Sequence, residues 1–392
     1  MSRTLTVGGF NSIKPVPLGG DSPVVIQTMW KDRLSFAGIR GEAGAALVRR
    51  VERLARMGCG ILRFAVPDLE AAEILGELAA RGSPVPFCAD IHFDHKIALR
   101  CLDFPIAKLR INPGNIGGPD RVRGVLEKAA GKNIPIRIGV NAGSLPLDLR
   151  KRLEKEGSDR AEARALALVE AAERELAIFR RFGFDNVAVS MKAAGIADTV
   201  KANRLFAARF GGASMPPLHV GVTEAGPLVA GTVRNAAALL PLLAEGLADT
   251  IRVSLSDTPE NEVIAGREIL NAARDMAGAA GEGAARFGRP GVIIVSCPRC
   301  GRYGFDSLGF TGRWKERLYA LDRNLTVAVM GCAVNGPEEA KHADLGVTGA
   351  GNKVLIFARG RIIRTVEAAG ADAAFEEELM KMMERYDGTG TP

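Results

Sequence analysis

The sequence predicts an α/β protein: a (β/α)8 TIM-type barrel followed by a smaller α+β domain that holds a metal centre. Three observations predict it. From Val24 to about residue 276, short β-like runs alternate with alanine- and leucine-rich runs at helical spacing. Eight such strand–helix units fall within roughly 250 residues, the number a closed barrel requires. A small-residue stretch, Gly278-Ala279-Ala280-Gly281-Glu282-Gly283, then precedes a segment whose elements follow a different order and whose cysteines cluster. The predicted division is a barrel over residues 1–277, a linker over 278–290 and a second domain over 291–392.

In chain order, the barrel strands are expected at Val24–Met29, Ile61–Val66, Val85–Ile91, Ala107–Asn112, Ile134–Val140, Asn186–Lys192, Leu218–Val222 and Thr250–Leu255. Helical spacing runs through Ala45–Met57, Leu69–Arg81, Asp120–Gly131, Ala161–Phe182, Ala197–Phe210, Thr232–Ala244 and Pro259–Met276. In the second domain, strands are expected at Val292–Val295, Thr326–Met330, Val354–Ala358 and Ile362–Val366. Helices are expected near Lys315–Leu321, from Pro337, and at Asp372–Tyr386.

Composition narrows the function. No apolar run reaches membrane-spanning length, and Met1-Ser2-Arg3-Thr4-Leu5-Thr6 lacks the apolar core of a signal peptide. Six cysteines in 392 residues are not a disulfide framework, which points to a reducing cytoplasm. The net charge of +7 comes without a lysine-rich tail, and aromatics are only 5%, so a nucleic-acid surface is not favoured. Arginines converging on a small anion explain the excess.

The metal centre is read from Cys297-Pro298-Arg299-Cys300 and from Cys332. The turn within the first motif brings two sulfurs together, and Cys332 directly follows an expected strand. Three soft thiolates suit iron–sulfur or zinc. A fourth ligand is needed, and Glu338, Glu339 and His342 are within reach. The flanking Pro298, Gly331 and Asn335-Gly336-Pro337 shape loops rather than fill a core. Cys59, Cys88, Cys101 and His219 read instead as core residues.

A barrel carries its active site at the C-terminal ends of its strands. Alternate residues there share the inward face. Arg63 lies on the second strand; Asp90 and His92 end the third, Arg110 and Asn112 the fourth. Arg137, Gly139 and Asn141 follow on the fifth, with Ser144 in the turn-rich loop beyond. Ser190 and Lys192 lie on the sixth, Arg252, Ser254 and Ser256 on the eighth, and Glu224 just past the seventh. Several cations gathered at one end need a polyanion, and guanidinium matches phosphate oxygens bidentately.

These runs carry a specific resemblance. Ala89-Asp90-Ile91-His92-Phe93-Asp94, Leu109 to Gly117, Ile134 to Leu145, Thr223-Glu224-Ala225-Gly226, Arg252-Val253-Ser254-Leu255 and the cysteine motif occur in one order. From about Pro15 to about Lys353 the chain resembles the two-domain bacterial 4-hydroxy-3-methylbut-2-enyl diphosphate synthase family of the non-mevalonate isoprenoid pathway. The resemblance implies reductive ring opening and dehydration of 2-C-methyl-erythritol 2,4-cyclodiphosphate. Two electrons would pass through a [4Fe–4S] cluster from flavodoxin or ferredoxin. It implies Cys297, Cys300, Cys332 and Glu339 as cluster ligands and Glu224 as the catalytic acid. Arg63, Arg110, Arg137 and Lys192 would serve the diphosphate, with Asp90, His92, Asn112, Asn141, Ser144, Arg252 and Ser254 around them.

The chain departs from the family pattern where a usual Gln-Ser-Met-Thr-Asn-Thr run is Gln27-Thr28-Met29-Trp30-Lys31-Asp32, which alters a polar wall near the mouth. Asn335-Gly336-Pro337-Glu338-Glu339 places glutamate where glycine is usual, and Gly349-Ala350-Gly351-Asn352-Lys353 is one residue longer. Two other readings compete. One is a nonredox, zinc-stabilised phosphate-binding protein using Cys297, Cys300, Cys332 and His342. The other is a paralogous iron–sulfur reductase acting on another diphosphate, motivated by Trp30 and Lys31. A linker counted from Met276 to Val292 is too short to fold the second domain comfortably over its own barrel. The expectation is therefore a homodimer with active sites shared between chains, as the family resemblance also implies.

Overall fold

The computed structural model describes residues 1–11, 13–112, 116, 118–156, 161–211, 215–280, 284–288, 291–298, 304–332, 337–338 and 340–389. The chain divides into two compact units, Met1–Gly288 and Arg289–Pro392. Among the described residues no helix is long and apolar enough to cross a membrane.

The first unit opens with an antiparallel pair, β1 (Leu5–Val7) and β2 (Val16–Leu18). Eight parallel strands follow: β3 (Val25–Met29), β4 (Cys59–Ala65), β5 (Phe87–Asp90), β6 (Lys108–Ile111), β7 (Ile136–Asn141), β8 (Val187–Lys192), β9 (His219–Val220) and β10 (Thr250–Ile251). Their order is β8-β7-β6-β5-β4-β3-β10-β9, and a parallel bridge between Val189 and Leu218 closes the ring. The barrel expected from the βα period is thus the fold observed. Its strands are buried on both faces, as β5, β6 and β8 are at every position. Helices return the chain along the outside, and short side chains start them. The Asp68 carboxylate accepts from the Ala71 amide at 2.7 Å, and that of Asp94 from Lys96 at 2.8 Å.

The β1–β2 pair was not expected, because three-residue strands are too short to show a period. Its Leu5, Val7 and Leu18 pack against Ile61, Cys88, Ala107 and Ala188, plugging the barrel at the N-terminal ends of its strands. The opposite end carries the polar residues. Also unexpected were the helices Phe36–Ile39, His95–Cys101 and Leu147–Glu156. β9 and β10 are two residues each, shorter than the runs predicted there.

The helix Pro259–Ala280 continues past Gly278, since surrounding alanines offset the roughly 1 kcal/mol cost of one helical glycine. A 3-10 turn, Ala284–Phe287, then stays on the barrel. The Val24 amide donates to the Arg286 carbonyl at 2.8 Å, and the Arg286 guanidinium meets Asp249 at 2.9 Å. Arg274 donates to the carbonyls of Phe287 and Gly288 at 2.7 and 2.9 Å. The chain is therefore held to the closed end of the barrel as far as Gly288.

The second unit is a five-stranded mixed sheet in sequence order: β11 (Ile293–Ser296), β12 (Thr326–Met330), β13 (Leu345–Ala350), β14 (Lys353–Ala358) and β15 (Arg361–Glu367). The first three are parallel and the last two antiparallel. Helices Ser307–Tyr319 and Ala371–Thr389 supply Phe310, Trp314 and Phe375, which pack on Val327, Val347 and Ile356. Phe310 and Phe375 meet edge-on at 5.1 Å, and the Trp314 indole donates to Asp372 at 2.7 Å.

The expected helix from Pro337 is not found: the described residues 337–338 and 340–342 form turns. The strand that follows, β13, was unexpected because its sequence, Leu-Gly-Val-Thr-Gly-Ala, is rich in small residues. Packing explains them. A Cβ on Gly346 would lie 2.1 Å from the Phe357 ring, so only glycine lets that ring cross the sheet there.

Candidate active site at the barrel mouth

Strand register sets the site. Asp90, Arg110 and Arg137 stand side by side on β5, β6 and β7, and Asn141 stands beside Lys192 four residues further along the strand. Arg110 reaches Asp90 at 3.1 Å and the Gly139 carbonyl at 3.1 Å. A Cβ at position 139 would sit 2.2 Å from Arg110 Nε, so Gly139 makes the room this guanidinium occupies. Arg63 lies 3.6 Å from the other oxygen of Asp90, and the His92 ring lies 2.8 Å from Arg110 Nη1. Arg137 donates to Ser190 at 2.8 Å, and the Ser190 hydroxyl donates to the Ile138 carbonyl at 3.3 Å.

The remaining expected residues lie at the same end. Asn112 is buried just past β6, Asn141 at the end of β7 and Ser144 beyond it are half-buried, and the Ser144 hydroxyl donates to the Asn141 carbonyl at 3.3 Å. Arg252 follows β10 directly, with Ser254 two residues on. Glu224 is exposed, and its backbone has φ +53°, a left-handed conformation uncommon outside glycine. Backbone strain of this kind is held where the surroundings over-determine it.

Charge is out of balance here. Among the described residues here, the cations Lys31, Arg63, Lys108, Arg110, Arg137, Lys192 and Arg252 outnumber the carboxylates Asp90 and Glu262. Burial opposes ionisation of Asp90, yet Arg63, His92 and Arg110 hold its carboxyl far below the usual range. Burial, then the neighbouring arginines, push the Lys192 ammonium well below its ordinary value. Lys108 falls to about 8, with burial again the main cause and Arg137 and Arg63 adding to it. Several buried donors have no partner among the described residues: Arg137 Nε and Nη2, Lys108 Nζ and Arg110 Nε. Unmet cationic donors converging from neighbouring strands suit a polyanion with many acceptor oxygens. Such an anion would also favour the protonated lysines.

Two groups escaped sequence reasoning. Lys108 shares the face of Arg110 by strand parity, which was a usable signal. Glu262, in the first turn of the helix Pro259–Ala280, is buried and binds Arg252, Lys31 and Thr28. Its position resembles an ordinary exposed acid at a helix start. Of the departures at 30–32, Lys31 adds a cation beside Glu262, whereas Trp30 does not join a polar wall. Trp30 is buried, stacks on Phe64 at 5.9 Å and lies under Arg50 at 4.9 Å. Asp32 pairs with the same Arg50 at 3.2 Å. An indole at this position is driven into the core by its apolar area.

In the second unit, Cys297 directly follows β11 and Cys332 lies two residues past β12. Because β11 and β12 are parallel neighbours, their C-terminal ends bring the two loops together. The Gly331 amide donates to Cys297 Sγ at 3.1 Å, which ties the two loops together. Both cysteines are half-buried, while Glu338 and His342 are exposed. Cys300 and Glu339 lie outside the described residues. Among the described residues no group of three potential metal ligands comes together.

Fold and site define a two-unit barrel protein with a strongly cationic mouth and a separate mixed-sheet unit bearing paired cysteine loops. The chain belongs to the GcpE family: the GcpE TIM-barrel domain matches residues 11–267, and the GcpE protein C-terminal domain residues 293–384. It is similar to proteins named 4-hydroxy-3-methylbut-2-en-1-yl diphosphate synthase (flavodoxin). The one from Treponema pallidum is 47% identical, over 97% of this chain and 92% of the relative. That from Treponema denticola is 44% identical over 97% and 99%, and that from Geobacter sulfurreducens 43% over 95% and 97%.

Proposed function

We propose that this chain is an iron–sulfur oxidoreductase that opens 2-C-methyl-erythritol 2,4-cyclodiphosphate reductively, giving (E)-4-hydroxy-3-methylbut-2-enyl diphosphate for isoprenoid synthesis. The names of its relatives support the reaction. The observation that carries it is the set of buried cationic donors on neighbouring barrel strands that have no partner among the described residues. Two electrons and one proton enter; one bond from carbon to a phosphate oxygen breaks, a hydroxyl takes the proton and leaves as water, and a carbon–carbon double bond forms. Opening the ring frees a phosphate oxygen and so adds negative charge to the diphosphate. The excess of cations over carboxylates fits that change.

In this reading Arg63, Arg110, Arg137 and Lys192 grip the diphosphate, assisted by Arg252, His92, Asn112, Asn141, Ser144 and Ser254. Asp90 orients Arg63, Arg110 and His92 rather than meeting the anion. Glu224 gives a proton to the departing hydroxyl. Cys297, Cys300, Cys332 and Glu339 would hold a [4Fe–4S] cluster, and the donor set fits it: soft thiolates with one harder, more weakly bound carboxylate. When bound, that cluster supplies the electrons singly. The relatives' names favour flavodoxin over ferredoxin as donor. The barrel is the substrate domain, carried past the expected boundary at 277 to Gly288 by the end of its last helix and the following turn, and the cluster domain is expected over 291–392. Cysteines left as free thiols suit a cytoplasmic setting.

We also infer a homodimer in which each barrel takes the cluster domain of the other chain. Leu69, Phe93, Leu147, Leu228, Val229 and Val233 are exposed on loops and helix starts at the strands' C-terminal end. Apolar side chains collected at one rim favour burial against a partner. With the chain fixed to the barrel's closed end through Gly288, it has less slack than the distance from Met276 suggested. Co-expressing Glu224→Gln with Cys300→Ser tests this. The isolated mixed dimer is expected to recover about half of wild-type activity, because one shared site is intact. A mixed dimer without activity would place both halves of the site in one chain.

A further inference from the structure

Glu262 is the most heavily engaged carboxylate of the site. Its side chain is 1% exposed, and its oxygens accept from the Lys31 ammonium at 2.6 Å, the Thr28 hydroxyl at 2.6 Å and the Leu255 amide at 3.0 Å. Arg252 adds longer contacts, Nη2 at 3.1 Å and Nε at 3.4 Å. Burial alone would raise the Glu262 carboxyl, but Arg252, Lys31 and the amide keep it below the ordinary range. One carboxylate thus serves two cations, and Arg252 is the more loosely held.

Removing a single cationic partner from a buried carboxylate strands the charge, which is strongly unfavourable. With two partners, one can leave while the other still compensates. Lys31 is well placed to be the one that stays. It also donates to the Leu255 carbonyl at 3.0 Å, so two acceptors anchor it. It lines a cleft of about 780 Å³ with Trp30, Phe64 and Asp68, and its side chain is 29% exposed.

We propose that Lys31 is a positioning residue for Arg252: it keeps Glu262 neutralised while Arg252 turns from that carboxylate to the diphosphate. This rests on the reading of Arg252 as a ligand of the substrate. Lys31 then acts through Arg252 and not on the anion itself, which sets it apart from an added phosphate ligand.

A double-mutant cycle on the anaerobically purified holoenzyme tests the inference, using wild type, Lys31→Met, Arg252→Met and the double variant. KM and kcat for the cyclic diphosphate are measured with reduced methyl viologen, and binding of inorganic pyrophosphate by calorimetry. Lys31→Met is expected to raise KM about tenfold, the scale of one charged hydrogen bond, with kcat within about twofold. Lys31→Arg is expected to restore KM. With methionine already at 252, Lys31→Met should raise KM no further, while the double variant, which leaves Glu262 without a cation, should melt at a lower temperature than either single variant. Equal losses in both backgrounds would make Lys31 a direct ligand of the anion and overturn the proposal. So would a wild-type KM for Lys31→Met beside an impaired Arg252→Met, or a fall in kcat tracking a lowered melting temperature. A wild-type KM and pyrophosphate affinity for Arg252→Met would instead remove Arg252 from the substrate site and count against the functional reading beneath.

Discussion

Exchanging Cys297, Cys300 or Cys332 for serine, one at a time, is expected to give colourless protein with no turnover. Wild type purified without oxygen should carry about four iron and four labile sulfide per chain. Cys297 and Cys332 are half-buried at the ends of neighbouring parallel strands, outside the Phe310–Trp314–Phe375 core. Serine at either position should therefore leave the second unit folded while replacing a soft ligand with a hard one. Circular dichroism close to wild type, together with lost iron, would separate ligand loss from unfolding. Glu339→Ala is expected to share the defect and the exposed Glu338→Gly to be nearly silent. Stoichiometric zinc without sulfide in the wild type would instead support a nonredox protein.

Glu224→Gln should lower turnover by roughly two to four orders of magnitude, the usual contribution of a placed general acid. Substrate binding should change by less than about twofold, because glutamine keeps the shape and Glu224 is not among the cations that grip the anion. The left-handed backbone at this position tolerates few residues, so an isosteric exchange isolates the proton from the geometry. Calorimetric binding and single-turnover rates, measured on the same preparation, check both halves. Wild-type turnover would dismiss Glu224 as the acid.

The barrel was legible because its strands pair apolar outer residues such as Leu109, Ile111, Val187 and Val189 with polar inner ones such as Arg110, Ser190 and Lys192. The same parity located most of the mouth. Motif order, more than any one residue, carried the family resemblance, and the matches over both units agree with it. What escaped was long-range partnership. Glu262 looks like a helix-start acid facing solvent, and only the fold brings Thr28, Lys31 and Arg252 to it from distant strands. Trp30 looked like part of a changed wall until Phe64 and Arg50 were seen to enclose it. β13 was hidden by glycines whose reason is the Phe357 ring on the adjacent strand. The β1–β2 plug was too short for periodicity to register.

The most direct measurement is an anaerobic turnover assay with counted electrons. Iron–sulfur-loaded protein, reduced flavodoxin and 2-C-methyl-erythritol 2,4-cyclodiphosphate are mixed, and product and oxidised flavodoxin are followed together. The expected result is one hydroxymethylbutenyl diphosphate formed for every two electrons consumed, with none formed by the Cys332→Ser protein. Unchanged cyclic diphosphate in the presence of a fully loaded, reduced iron–sulfur centre would contradict the account.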